Sequence, residues 1–156
     1  MILPAVLLAV QFSATPQGEE PVAAYAVSNA NAGAQPTSDP RLLAAWHGRA
    51  GINRVIDTLI DLSVADPRIS DIFRNQDQVR LRRLLKEQFC YILGAGCDYS
   101  GRNMRNAHKD LGIQTADMNA LVENLQAAMA AEKVPIWAQN RLLAKLAPMR
   151  KDVVER

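Results

Sequence analysis

Four stretches of this chain repeat apolar residues at the three- and four-residue spacing of an α-helix, and that periodicity limits the possible folds more than any other feature. Over residues 51–64 the stripe is Ile52, Val55, Ile56, Leu59 and Ile60, with Asn53, Arg54, Asp57 and Asp61 opposite. Over residues 78–93 it is Leu81, Leu84, Leu85, Phe89 and Ile92, with Arg82, Arg83, Lys86 and Glu87 outside. Met118, Leu121, Val122, Leu125 and Met129 mark residues 115–133, and Leu142, Leu143, Leu146, Met149 and Val153 mark residues 135–154. Each stripe needs an apolar partner, so the pattern predicts helices packed on helices. Aromatics make up only 5% of the chain while Ala, Leu and Val dominate, which favours helix over sheet. The 156 residues suffice for one domain with a real core.

The breaks between stripes have their own chemistry. Asp39-Pro40 reads as a helix start, with Asp as cap and Pro in the first turn, and a short helix follows over residues 41–46. Asp66-Pro67 closes the first long helix. Ile69, Ile72 and Phe73 then form a corner that points inwards. Asn75, Gln76 and Asp77 make a turn, Thr115 reads as a cap, and Val134-Pro135 restarts the chain. Pro148 falls inside the last stripe and should kink it.

Residues 1–10 are apolar, too short to span a bilayer, and lack a basic flank apart from the free amine. With the small-residue sites Ala24-Tyr25-Ala26 and Ala30-Asn31-Ala32 they read as a signal peptide over residues 1–26; an uncleaved tail is the alternative. Residues 27–39, rich in Ala, Pro, Gln, Ser and Asn, read as a disordered linker, and residues 40–156 as the folded domain. No later run is apolar for long enough to span a membrane. Cys90 and Cys97 either pair, as export would permit, or serve as small buried thiols. A net charge of +2 implies no strong field for nucleic acid. The cluster Arg80, Arg82, Arg83 and Lys86 is diluted by acids and has no interleaved aromatics, so it reads as a solvated face.

The stretch with the most chemistry covers residues 99–113. Tyr99-Ser100-Gly101-Arg102 reads as a turn. Met104, Ala107, His108 and Leu111 then share one helical face, and Gly112 suits the residue after a helix end. A histidine on such a stripe is either a core imidazole bonded to a backbone carbonyl or an axial ligand to a haem iron, which requires a neutral ring nitrogen facing an apolar slot.

This run resembles the proximal segment of the group I truncated haemoglobins, in which a Tyr-[Ser/Thr]-Gly-Arg turn precedes Met-x-x-x-His and the His binds iron. The likeness extends over about residues 42–154. It implies an all-α, two-over-two helical sandwich, with residues 51–64 and 78–93 as one pair and residues 115–133 and 135–154 as the other. It implies haem b as cofactor and His108 as the metal ligand. Met104 would touch the porphyrin; Ile113, Met118, Leu121 and Leu125 would wall one side; Phe73, Leu81, Leu85 and Phe89 would wall the distal side. Arg80 and Tyr99 match positions that meet the propionates. The Gly-rich corners at Gly48/Gly51 and Gly94/Gly96 approximate the family's double-Gly motif, interrupted by Arg49-Ala50 and Ala95.

The departure from the family is distal. Ile60 stands where the family commonly has Tyr, and Leu81 and Leu85 stand where it often has Gln or another polar residue. A donor to dioxygen contributes about 1.5–3 kcal/mol, so its loss weakens oxygen retention more than CO or NO binding. The function expected is therefore binding of diatomic gases (O2, NO, CO), with oxygen storage or transport less well supported. Alternatives are NO or redox chemistry and electron transfer with an unidentified reductase, or a haem-free helical interaction module. The enzyme alternative needs a distal acid or base that this face does not offer.

Overall fold

The computed structural model describes residues 15–155, so the apolar run at residues 1–10 lies outside the described residues. The elements are α1 (Pro40–Ala45), α2 (Gly48–Ala65), α3 (Ser70–Arg74), α4 (Gln78–Ile92), α5 (Met104–His108), α6 (Thr115–Ala131), α7 (Ile136–Leu146) and α8 (Arg150–Val153), with 3-10 turns at Asn29–Ala32 and Ala147–Met149. The described residues contain no strand. The fold is the two-over-two helical sandwich expected.

Helix α2 is central. Its buried face, Ile52, Val55, Ile56, Leu59 and Ile60, packs on α6 and on α4. Trp46, at the end of α1, closes the top of the core, its ring meeting Phe89 edge-on at 6.3 Å. Asp39 caps α1 as expected, accepting from Arg41 N at 3.0 Å. Helix α2 starts at Gly48 rather than Gly51, because left-handed His47 (φ 56°) turns the chain before it. At α6 the N-cap is Gln114, one residue before the Thr expected, and Asp117 accepts from its N–H at 2.9 Å. Pro148 breaks the last helix as its missing donor requires, giving a 3-10 turn between α7 and α8.

Residues 27–39 are not a disordered linker. The chain from residue 15 onward runs as a strap across α4, the loop before α5 and the last helices. Ala32 is fully buried, Thr37 N donates to Ile92 O at 2.8 Å, and Lys145 donates to Gln35 O at 2.8 Å. Gly94 permits the crossing: it is left-handed (φ 74°), and a Cβ there would sit 2.4 Å from Thr37 O.

Cys90, at the end of α4, is joined to Cys97, with Cα atoms 5.6 Å apart. The bridge closes a short loop, worth about 2.5 kcal/mol in the chain-entropy account. Reduction with excess dithiol is expected to lower the urea midpoint by that amount of stability. An unchanged midpoint would show that the loop holds without the bridge.

Candidate functional site

The site is built on the loop that follows the disulfide. Tyr99 is 4% exposed and its ring covers Gly101, where a Cβ would fall 2.2 Å from the Tyr99 hydroxyl. Only glycine fits. From α4, the Glu87 carboxylate accepts from Ser100 N at 2.9 Å and Ser100 Oγ at 2.7 Å, and Arg83 donates to Ser100 Oγ at 2.8 Å. From the strap, Asn29 Oδ1 accepts from Tyr99 N at 2.8 Å. Asn103 then caps α5, accepting from Asn106 N at 2.9 Å.

Helix α5 has five residues, with Met104 buried at its start and half-buried His108 at its end. His108 Nδ1 lies 2.7 Å from the Met104 carbonyl oxygen. A carbonyl only accepts, so Nδ1 carries the proton and Nε2 keeps its lone pair. Burial holds the ring's pKa below the ordinary imidazole value, while the Met104 carbonyl pulls the other way. The ring is thus neutral at neutral pH. The core-imidazole bond and an unprotonated second nitrogen coexist in one side chain.

The stripe expected through Ala107 and Leu111 does not form. Both are exposed, Leu111 by 37%, because α5 stops at His108 and left-handed Asp110 (φ 64°) redirects the chain. Gly112 is left-handed, as expected, but it is the second such residue after the helix.

The apolar residues expected around the site do come together. Ile60, Phe89, Met104, Ile113 and Leu125 are buried members of one core cluster, as is Tyr99. Phe73, Leu81, Leu85, Met118 and Leu121 pack against that cluster while remaining partly accessible, together with Ile72 and Leu84.

The two rim residues have other partners. Tyr99 donates its hydroxyl to Arg102 O at 3.0 Å, and burial pushes its pKa up to about 12. Arg80 pairs with Glu19 at 3.3 Å and with Asp77 at 3.8 Å, and also donates to Glu20 O. Glu19 additionally pairs with Arg83, whose guanidinium lowers the Glu19 pKa, and its side chain is 1% exposed. The strap's Glu19 carboxylate thus occupies Arg80, the one cation that the resemblance assigned to the propionates.

A groove of about 560 Å³ lies on the outer face of α4, lined by Arg49, Arg82, Lys86 and the disulfide among others. It holds no imidazole, and Arg82 and Lys86 pair with Asp57 at 3.1 and 2.9 Å. It is not the site. The polar residue that sequence reasoning weighed for the gas side and set aside is Gln88, buried beside Met104. Its helical phase excludes it from the distal wall, and no sequence signal marks the partners it finds instead.

Comparison with known proteins agrees with this fold. The model of the bacterial-like globins matches residues 44–155. A group 1 truncated hemoglobin of Tetrahymena thermophila is 26% identical over 90 residues, covering 58% of this chain and 74% of that protein. One from Synechocystis is 29% identical over 92 residues, covering 56% and 74%. Among solved structures, the Fe(III) truncated hemoglobin of Tetrahymena pyriformis superposes with a TM-score of 0.70 at 23% identity, over 74% of this chain and 98% of that one. The 2/2 hemoglobin of a Synechococcus species, solved with covalently attached heme, gives 0.68 at 25% identity over the same shares. The chain belongs to the bacterial-like globin family, as a truncated haemoglobin of the group 1 type.

Proposed function

We propose that this protein binds haem b through His108 Nε2 and takes diatomic gases on the opposite, apolar side. The observation that carries this reading is the 2.7 Å contact of His108 Nδ1 with Met104 O, which frees the other nitrogen. The donor set fits the group: one neutral imidazole on α5, next to buried Met104, and the partly accessible apolar side chains Phe73, Leu81, Leu85, Met118 and Leu121 packed against the same core cluster as Met104. When bound, haem would supply an iron that His108 holds and that takes up a diatomic gas. The chain's residues then do three things. Met104 O fixes the imidazole's tautomer and direction. Met104 and Ile113 pack beside the ligand, and Leu81 and Leu85 exclude water from the gas side. Arg80 and Tyr99 are not assigned to the propionates, since both are otherwise engaged.

Ile60 is fully buried, so a tyrosine there would overpack the core. Leu81 is partly accessible and tolerates a longer polar side chain. Leu81→Gln is expected to slow dioxygen dissociation about tenfold and leave CO dissociation nearly unchanged. Stopped-flow ligand displacement measures both rates. Equal effects on the two gases would contradict the apolar distal pocket.

The disulfide supports an exported protein, since such bridges persist in oxidising compartments. No helix among the described residues is long and apolar enough to cross a membrane.

A further inference from the structure

Gln88 is one of a few buried polar residues, 5% exposed. Its amide nitrogen donates to Ala32 O at 2.9 Å and to Met104 Sδ at 3.4 Å, with Met149 Sδ at 3.8 Å. An amide nitrogen has two protons, and the two shorter contacts use them. One partner, Met104, is the residue whose carbonyl holds His108 Nδ1–H. The other, Ala32, ends the strap's 3-10 turn. The same stretch of strap grips the loop leading into α5: Asn31 Nδ2 donates to Gly101 O at 3.1 Å, and Tyr25 donates its hydroxyl to Ser100 O at 2.8 Å. The strap, α4 and the ligand helix therefore meet at one side-chain amide.

A five-residue helix has too few internal bonds to fix itself. Its position must come from outside: Arg105 pairs with Asp152 of α8, and Gln88 holds Met104, the residue that orients His108. Partners beyond a metal-ligating histidine set its direction and basicity, and losing one typically costs 10–100-fold in affinity.

We propose that Gln88 is a positioning residue for the axial ligand: by tying Met104 to the backbone of Ala32, it sets the tilt of the His108 ring. This rests on His108 being the haem ligand. An amide that only filled space would alter stability and leave the iron's signature unmoved.

The test uses the full chain loaded with haem, as wild type, Gln88→Met, Met104→Leu and the double variant. Methionine matches glutamine in length but donates nothing, and leucine at 104 removes the sulfur acceptor. The readouts are the iron–imidazole stretching band of the ferrous protein and the rate of haem loss to an excess of apoglobin. Gln88→Met is expected to shift or broaden the band and to speed haem loss about tenfold. In the Met104→Leu background the same substitution should have less than half that effect, because the link is already cut. A wild-type band and haem-loss rate in Gln88→Met would overturn the proposal, as would fully additive effects of the two substitutions. Should Gln88→Met fail to fold, Met104→Leu alone must shift the band, and an unshifted band counts against the link. A wild-type chain that takes up no haem would instead overturn the His108 reading, whereas a red wild type with a silent Gln88→Met overturns this inference alone.

Discussion

His108→Ala is expected to abolish the haem absorption of the purified protein while leaving its helical circular dichroism intact. The ring is half-buried and bonded only through Nδ1 among the described residues, so removing it costs the core little. On the proposed reading it costs the iron its ligand from this segment. Affinity should fall by more than the roughly 10–100-fold that loss of an outer partner costs. Free imidazole added to the variant should restore the absorption, because it can take the place of the deleted ring. A variant that keeps a wild-type Soret band would assign the ligand elsewhere.

Removing the strap through Gly33 is expected to lower the urea midpoint. The deletion orphans the buried Gln88 amide, which costs roughly 1–3 kcal/mol, and removes the bonds that Asn29, Asn31 and Tyr25 make to the loop before α5. The stacking of Arg102 on Tyr25, 4.9 Å from the ring centre, is lost as well. The same deletion frees Arg80 from Glu19. An unchanged midpoint would return the segment to the status of a linker.

The long helices were legible because each buries a continuous stripe, and the stripe is written into the spacing of Ile, Leu and Val. The proximal turn was legible as well, since Gly101 admits no other residue beneath Tyr99. The strap was not. It is held by Asn29, Asn31, Tyr25 and Glu19 bonding to loop backbone and to distant side chains, an arrangement with no period, so its polar composition resembled disorder. The rim failed for the same reason: nothing local to Arg80 announces a carboxylate arriving from far upstream in sequence. The stripe through Leu111 failed because periodicity cannot locate a helix end that depends on left-handed Asp110. Gln88 was excluded from the gas side by its helical phase, and that same phase turns it towards Met104.

The most direct measurement is the absorption spectrum of the purified, haem-supplemented chain, ferric and ferrous, with and without CO. An intense Soret band that shifts on reduction and again on CO addition is the result expected of an imidazole-held iron with an open, apolar far side. A colourless, folded protein, or a band indifferent to CO, would contradict it.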